Sequence, residues 1–566
     1  MRLRLTFSGV LLLAGLAVAA AAILAEALGF DPEPGWGRVR LDLLLAGAVL
    51  MLAAWLWPRL GVQEFLEARP AWLSALRSLQ AAAPSLASIA LVLLFYLWFA
   101  TSGRWTKMEK PTRHHAYQAV AFSRDQLHLP IMVDPRLLSL SDPYDRAERD
   151  RLGIKVPTDV SYYHGRYYLY WGPVPGLLIL LARPLFGLRV ADSVMALLFA
   201  CGTFLAAALL LLSIWQRAFS RLPGWMLPLC LIVAGMALPS VFLRHNWETA
   251  RMYQVAIAGA QFFLMAGLLA VLPPLLSASP SAWRLATAGT LWGLALGTRI
   301  FLAPSVGLIA LLVGVRIIRA RGMRRSALLG LLYLGLPLAL ALGLLAWFNW
   351  ARFGSVTETG AYYVLSEATD VQKVYDQVAR AAYMPANLYN YLAHPFRVTP
   401  AFPFAEMLAG IEDLIPGVIS APEAYYAQAG VGLTFTFPFA VFSLAAARAA
   451  AATRSPKRAG ATEAAHDRLT GLPWLIASLA AATTMTFVLL LTFFWYASRF
   501  HGDFVPPLAV LSVLGFWSGY ESLGARPTLR RAYARLGLVL ALVSILASTL
   551  LAFSLNPGLV ARLHCC

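Results

Sequence analysis

Apolar runs long enough to cross a lipid bilayer recur along the whole sequence, and they constrain its fold more than any other feature. A bilayer core about 30 Å thick takes about 20 apolar residues of helix. Backbone groups in lipid must be hydrogen-bonded internally, so these runs are expected to be helices. By length, about 13 candidate spans lie near residues 6–28, 41–57, 83–101, 190–214, 223–243, 252–274, 285–299, 301–318, 327–349, 430–447, 472–494, 504–520 and 536–554. The sequence therefore predicts an all-α polytopic membrane protein.

The composition supports this class. Hydrophobic residues make up 59% of the 566 residues, and only 13% are charged. A soluble chain of this length would form several domains, each needing a polar surface. The net charge of +18 would suggest a nucleic-acid partner in a soluble protein. Here the basic residues lie in short loops between apolar runs, so we expect membrane lipids as neighbours and no nucleic acid. The four cysteines have no metal-binding spacing and form no disulfide framework.

The basic residues also orient the chain in the membrane. If Arg2 and Arg4 are cytoplasmic and the spans alternate, every cytoplasmic loop receives Lys or Arg, including the basic cluster at 316–325, as the positive-inside rule requires. Two long segments, about 103–189 and about 350–429, then lie outside. Connections this long tend to be functional or disordered. We expect both long segments to be ordered and to hold the polar chemistry.

The spans and long segments divide the chain into parts. Residues 173–187 hold about 15 residues, fewer than the roughly 20 that a span needs. We expect this stretch to form a surface or re-entrant helix at the membrane interface. The predicted parts are a two-span extension with an inner loop at 1–82, a transmembrane core with the first long segment (103–189) at 83–349, the second long segment at 350–429, and C-terminal spans at 430–566.

The acids of the first long segment are candidates for catalysis. Asp159 precedes a tyrosine-rich stretch, SYYHGRYYLYW. A carboxylate beside apolar surface is desolvated, which suits it to act as a general base. Asp142 and Asp145 belong to the turn signature Asp-Pro-Tyr-Asp, where the carboxylates either cap turns or take part in catalysis. Glu109 is a fourth candidate acid. The stretch's rings, including Tyr162, Tyr163 and Tyr168, either anchor the segment at the interface or bind substrate.

Three arginines are candidates for binding an anionic substrate. Arg299 interrupts a long apolar region, and its forked donors suit a phosphate; the alternative is a turn residue whose charge reaches the membrane surface. Arg352 with Glu358 and Arg499 with Asp503 each place a basic and an acidic residue among aromatics. Arg499 and Asp503 are four residues apart and could pair on one helical face.

His245 and Glu248 stand between two apolar runs. Three residues apart, they would share one face of a helix. They either form an ordinary outer turn or contact substrate, and two ligands alone are a weak signal for a metal.

Together these residues resemble bacterial integral-membrane glycosyltransferases of the GT-C superfamily, in the family 39-like group. The resemblance covers most of the chain from about residue 83 onward and matches an uncharacterised subgroup. It is carried by the acidic first long segment, the aromatic and proline stretch Tyr167–Gly176, the stretch Asn349–Ser355 with Gly360, and the stretch Arg499–Asp503.

The resemblance implies transfer of a sugar from a polyprenyl-phosphate donor to a lipid, glycan or protein acceptor. The site would face the periplasm or cell exterior of a multi-pass protein of the bacterial inner (cytoplasmic) membrane. No cofactor is firmly implied, and a divalent metal stays open. In such enzymes the catalytic acid commonly follows the span that leads into the first long segment. This chain has Glu109 and His115 there, but no Asp.

Two other functions remain open. A lipid or solute transporter or flippase would show broken helices at mid-membrane and repeat symmetry. A catalytically inactive scaffold of the same fold would hold a cavity without a reachable acid.

Overall fold

The computed structural model describes most of the chain. The described residues are 7–23, 43–44, 46–48, 50–51, 70–106, 108, 112–157, 159–188, 190–237, 252–276, 281–365, 371–415, 419–446 and 471–564. They are mostly helical. The chain divides into two compact units. The first comprises Met1–Glu109, Leu227–Ile232 and Asn556–Cys566, and the second comprises Lys110–Met226 and Val233–Leu555.

The α-helices vary from single turns to long spans. Numbered in chain order, they are α1 (Phe7–Ile23), α2 (Pro70–Ala100), α3 (His114–Phe122), α4 (Pro135–Leu138), α5 (Arg146–Arg151), α6 (Val174–Leu181), α7 (Arg183–Phe186), α8 (Asp192–Ile214), α9 (Met226–Ala237), α10 (Met252–Leu276), α11 (Ala282–Thr298), α12 (Ala303–Arg321), α13 (Arg325–Phe353), α14 (Val371–Val374), α15 (Met384–Leu392), α16 (Leu433–Thr436), α17 (Leu472–Leu491), α18 (Val505–Ser522), α19 (Pro527–Ser554) and α20 (Pro557–His564). Further short 3-10 helices include Ile300–Leu302, Pro438–Phe442 and Ser498–Asp503, and a π-helical turn, Trp215–Phe219, extends α8.

Several of these helices are candidate membrane spans. By length and composition, 7 helices among the described residues could cross a membrane: Ala82–Ala100, Asp192–Phe219, Met252–Leu276, Ile300–Ala320, Arg325–Phe353, Leu472–Leu491 and Pro527–Ser554. The predicted helical, multi-pass membrane class agrees with them. The count of about 13 spans, the sides on which the loops lie and the boundaries of the predicted parts stay predictions.

Two apolar stretches differ from simple spans. The run near 430–447 is broken after α16, where Phe437 adopts φ −144° and ψ 60° and Pro438 begins a 3-10 helix. Proline has no backbone N–H and disfavours a helical conformation at the residue before it, which explains the break. In the stretch 173–187, α6 has 8 residues and is only about 12 Å long. It is too short to cross a bilayer, as its length in the sequence predicts.

Within the second unit, the long helices pack side by side. Helix α8 contacts α10, α10 contacts α11, and α11 contacts α13, while α12 packs on α17 and α17 on α18. Small residues allow close approach: a Cβ at Gly289 of α11 would lie 2.2 Å from the carbonyl oxygen of Leu334 of α13. Such contacts are typical of helices packed in membranes. Phe199, Val255 and Ala295 form a core where α8, α10 and α11 meet.

Short strands connect distant parts of the second unit. They are β1 (Val160–Tyr163), β2 (Arg166–Tyr168), β3 (Val364–Leu365), β4 (Phe396–Val398), β5 (Ala405–Met407), β6 (Asp413–Ile415), β7 (Ile419–Ser420), β8 (Tyr426–Ala427) and β9 (Trp495–Tyr496). The three-stranded sheet has the order β2-β1-β3, and two hairpins pair β4 with β5 and β6 with β7. Strand β8 runs parallel to β9. The first long segment is therefore joined to the second, and the second to the chain beyond α17.

Candidate functional site

The tyrosine-rich stretch folds as a β-hairpin. Strands β1 and β2 pair with Tyr162 opposite Tyr167. The turn residues His164 and Gly165 have φ values of 47° and 72°, and two successive residues with positive φ are what a type I′ hairpin turn requires. Asp159 precedes β1 with a φ of 55°, a conformation that Asp tolerates better than most residues. The hairpin therefore holds Asp159 at its base.

The second long segment completes this sheet. Strand β3 pairs antiparallel with β1, and the Ser161 hydroxyl donates a 2.8 Å hydrogen bond to the Gly360 carbonyl oxygen. Gly360 has a φ of 99°, and a Cβ there would lie 2.6 Å from the Phe353 ring. Only glycine suits this position. The hairpin that bears Asp159 is thus fixed by residues about 200 positions later in the chain.

A buried ion pair lies where the chain leaves α17. In the 3-10 helix Ser498–Asp503 every residue is buried. The Asp503 carboxylate accepts a 2.8 Å bond from the Arg299 guanidinium, and the Gln261 side chain donates a 2.6 Å bond to the Asp503 carbonyl oxygen. Arg299 reaches it because α11 ends at Thr298 and Arg299 itself is extended. The pairing of Asp503 with Arg499 that the sequence left possible on one helical face does not form, because the segment is a 3-10 helix and the carboxylate is bonded to Arg299.

Asp159 belongs to the same cluster as these arginines. Its carboxylate is hydrogen-bonded to the Tyr253 side chain, and Tyr253 is hydrogen-bonded to Tyr170. Asp159 interacts electrostatically with Arg499, whose guanidinium lies 4.6 Å from the centre of the Tyr253 ring. Burial, followed by the charge of Asp159, raises the pKa of the Tyr170 hydroxyl. The acid, the two tyrosines and Arg499 therefore form one connected group.

The arginines of this cluster keep donors that no described residue uses. Arg499 is 2% exposed, and its Nη1 donates a 2.9 Å bond to the Gln428 side chain. Its Nε and Nη2, and Nε of Arg299, have no hydrogen-bond partner within the described ranges. Burial lowers the pKa of the Arg499 guanidinium. Forked guanidinium donors in a buried place suit a phosphate or carboxylate. The cluster can therefore bind an anionic group beside a carboxylate.

The neighbouring aromatic rings line this cluster. The Arg299 guanidinium lies 5.2 Å from the centre of the Trp171 ring, and Trp171 makes an edge-to-face contact with Tyr253. The Arg499 guanidinium lies 4.5 Å from the centre of the Trp495 ring. Cations are attracted to such ring faces. These rings hold the two guanidinium groups in place without using their N–H donors.

Asp142 and Asp145 cap local turns. The Asp142 carboxylate accepts a 2.9 Å bond from the Tyr144 backbone N–H, and Asp145 caps α5 through the Glu148 backbone N–H. These are the turn roles that the sequence left open beside catalysis, and a catalytic role for either stays a prediction. Glu109, His245 and Glu248 lie outside the described residues.

His115 pairs with an acid that the sequence reading missed. Its ring Nδ1 lies 3.0 Å from Oδ1 of Asp192, and both side chains are fully buried. Asp192 also accepts a 2.5 Å bond from the Thr112 hydroxyl and a 3.0 Å bond from the His114 backbone N–H. The signal available in the sequence was an aspartate at the first residue of an apolar span, where a charge is costly. Asp192 thereby fixes the start of α3.

Arg352 and Glu358 use their polar atoms within the protein. Arg352 donates a 2.6 Å bond to the Leu169 carbonyl oxygen and a 2.9 Å bond to the Asn349 side chain. Glu358 accepts a 2.6 Å bond from the Gly360 backbone N–H. These bonds tie the end of α13 to the hairpin. A substrate-binding role for either residue stays a prediction.

The three candidate tyrosines of the hairpin pack on other rings. Tyr163 lies 4.6 Å, centre to centre, from Tyr363, Tyr168 lies 5.2 Å from Phe353, and Tyr162 lies 5.8 Å from Tyr167. The contacts of Tyr163 and Tyr168 join the two long segments, while that of Tyr162 lies within the hairpin. Binding of substrate by these rings stays a prediction.

The structure adds Tyr170, Tyr253 and Gln428 to the candidate site. No sequence signal distinguishes Gln428, whose place depends on the pairing of β8 with β9. Within the described residues, no group of three His, Cys, Asp or Glu side chains could hold a metal ion.

Comparison with known proteins adds one remote similarity. No family model matches the sequence, and no curated protein matches it. Among solved structures, the chain is similar to the apo form of an oligosaccharyltransferase from Archaeoglobus fulgidus, with a TM-score of 0.43 and 13% sequence identity. The match covers 83% of this chain and 56% of that one, so the chain spans little more than half of that protein's length. At this level of similarity, nothing about the activity of the chain follows from the match.

Proposed function

We propose that this chain transfers a sugar from a polyprenyl-phosphate donor to a lipid, glycan or protein acceptor at the outer face of the bacterial inner membrane. The observation that carries the proposal is the cluster in which Asp159 lies beside Arg499, with the ion pair Arg299–Asp503 next to it. It is supported by the resemblance to GT-C glycosyltransferases noted in the sequence. In the same proposal the chain has about 13 spans, a cytoplasmic N-terminus and an outward-facing site.

The chemistry assigns a role to each group. Asp159 takes the proton of the acceptor hydroxyl as that oxygen forms a bond to the anomeric carbon of the sugar. The bond between this carbon and the phosphate oxygen breaks, and the electron pair leaves with the polyprenyl phosphate. The unused donors of Arg499 and Arg299 bind that phosphate as its negative charge grows, which lowers the barrier electrostatically. Tyr253 orients the Asp159 carboxylate.

The surroundings of the cluster suit a lipid-linked substrate. Arg499 and Asp503 lie between α17 and α18, while Tyr253 is the second residue of the span α10. The reacting groups thus lie at ends of apolar helices, where a phosphate at the membrane surface and its lipid chain within the bilayer would meet them. A soluble nucleotide-sugar donor would not need this position.

The experiment is sugar transfer from radiolabelled polyprenyl-phosphate sugars in membranes that contain the protein. Asp159→Asn keeps the size of the side chain and removes its charge, so we expect transfer to fall by roughly 10²-fold or more, the usual contribution of acid–base catalysis. Asp150→Asn is the matched control, because Asp150 is 67% exposed and pairs with Arg146. Transfer by Asp159→Asn equal to that of the control would refute the role of Asp159.

The same membranes distinguish the two other functions. Movement of a labelled lipid across the bilayer without sugar transfer would favour a flippase. Absence of transfer with every donor, for a folded protein, would favour an inactive scaffold.

A further inference from the structure

The β4–β5 hairpin of the second long segment has one charged and one apolar face. Its strands pair Phe396 with Met407, Arg397 with Glu406 and Val398 with Ala405. Because side chains alternate between the faces of a strand, Arg397 and Glu406 share one face, where they form a 3.4 Å ion pair. The other two pairs share the opposite face. Arg397 and Glu406 are 63% and 55% exposed, so the charged face is turned to water.

The apolar face packs on the end of a membrane span. Ala405 forms a buried cluster with Leu551 of α19 and with Val431, and Phe396 packs against it. In the connecting loop, the Phe402 ring lies 5.1 Å, centre to centre, from the ring of Phe553. The hairpin is therefore attached to the last turn of α19.

By length and composition α19 could cross a bilayer, which would place this end of the helix at the bilayer boundary. The first part of the helix carries Arg530, Arg531 and Arg535, and its apolar part extends from Leu536 to Phe553. At 1.5 Å per residue this apolar part is roughly 27 Å long, close to the about 30 Å of a hydrocarbon core. With the arginines at one membrane surface, Phe553 reaches the other.

The tip of the hairpin continues the apolar surface beyond α19. Val398 is 75% exposed and Phe404 is 48% exposed. No charged residue lies between Arg397 and Glu406 in the sequence VTPAFPFA. Phe404 has a φ of 63°, which is unfavourable for a bulky residue, yet its ring stays exposed. An exposed apolar tip beside the end of a span suits a lipid surface, since aromatic residues favour the membrane interface.

We infer that the tip of the β4–β5 hairpin, Val398–Phe404, inserts into the lipid leaflet at which α19 ends. The apolar side chains enter the interface, while Arg397 and Glu406 stay in water. The lipid contact fixes the second long segment at the membrane surface. This inference depends on the position of the hairpin and does not depend on the reaction that the protein catalyses.

The test measures the depth of a fluorescent label in lipid nanodiscs. The native cysteines are first removed by Cys201→Ala, Cys230→Ala, Cys565→Ser and Cys566→Ser, and a polarity-sensitive nitrobenzoxadiazole label is attached to Phe404→Cys. We expect its emission to shift to shorter wavelength and to be quenched by lipids that carry a nitroxide near the head group. Glu406→Cys is the matched control on the charged face. Its label should be quenched by aqueous iodide and only weakly by the lipid nitroxide.

Two outcomes would overturn the inference. Equal iodide quenching at the two positions would place the tip in water. Protection of the Phe404→Cys label from both iodide and the lipid nitroxide would mean that protein, such as a second copy of the chain, covers the tip. Val398→Cys is a second variant at a position so exposed that the substitution leaves packing intact, and its label should behave like that at Phe404.

Discussion

The ion pair between Arg299 and Asp503 allows a quantitative test of how the site is held together. The two charged groups are 2.8 Å apart, and their side chains are 6% and 0% exposed. At an effective dielectric constant of about 20, two unit charges at this distance attract by about 6 kcal/mol. Desolvation of the two groups offsets part of this attraction, and when one partner is removed the other still carries its desolvation cost without compensation.

Asp503→Asn removes the charge and keeps the shape of the side chain. Arg299 is then left buried without its carboxylate, close to the positive charge of Arg499, which it already opposes electrostatically. Removing one partner of a buried pair costs about 3–5 kcal/mol. We therefore expect a clear fall in the thermal unfolding temperature of the purified protein in detergent, followed by tryptophan fluorescence or by loss of monodispersity.

The double variant Arg299→Met/Asp503→Leu is the decisive comparison. Replacing a buried ion pair by apolar residues of similar volume is often neutral or stabilising by about 1–4 kcal/mol. The double variant should therefore unfold at a higher temperature than Asp503→Asn, although it should lack transfer activity. An Asp503→Asn protein as stable as the wild type, or a double variant less stable than Asp503→Asn, would refute the reasoning.

Three further changes test other parts of the site. Gln428→Ala removes the acceptor that orients Arg499, and a hydrogen bond to a charged group contributes about 1.5 kcal/mol or more. KM for the polyprenyl-phosphate donor should therefore rise roughly tenfold, with a smaller change in kcat. An unchanged KM would count against this role. Asp145→Ala removes a helix cap and should lower the free energy of unfolding by about 1 kcal/mol. We expect a small fall in unfolding temperature with sugar transfer retained. A large loss of transfer would instead show that Asp145 takes part in catalysis. Gly165→Val places a β-branched side chain at a position with left-handed backbone conformation, which costs roughly 1–2 kcal/mol or more. Limited proteolysis should therefore cut the hairpin faster in Gly165→Val than in Asp145→Ala.

The membrane class could be read from the sequence because it depends on a local property. The length and composition of an apolar run are enough to predict a helix such as α19, whatever else the chain does. The break inside the run near 430–447 was harder to predict, since it comes from one residue pair, Phe437-Pro438, and Pro is tolerated in many membrane helices.

The candidate site was only partly predictable. The sequence singled out Asp159, Arg299, Arg499 and Asp503 by chemistry and position. It allowed Arg499 as a partner for Asp503 but did not indicate Arg299, because the rule for pairs four residues apart applies only within α-helices, and Arg299 is 204 residues away. Long-range pairings of this kind leave no local pattern.

The hairpin was also missed, although a signal was present. His164-Gly165 occupies a turn that Asn-Gly commonly fills, between two short runs rich in tyrosine. Tyrosine favours both strands and membrane interfaces, so the rings predict an interfacial anchor or a substrate-binding surface as readily as a hairpin. Composition alone could not distinguish these alternatives.

Two long-range contacts, one of the hairpin and one of the buried ion pair, bear on how the protein is made. Ser161 meets Gly360, 199 residues later, and Arg299 meets Asp503, 204 residues later. At a synthesis rate of about 5–20 residues per second, each interval lasts roughly 10–40 s. During the first interval the strand β1 has an unpaired edge, which is a ready template for misplaced strands. During the second, Arg299 must wait in the membrane without its carboxylate. The open strand edge therefore persists until Leu365 has been made, and the unpaired cation persists until Asp503 has been inserted.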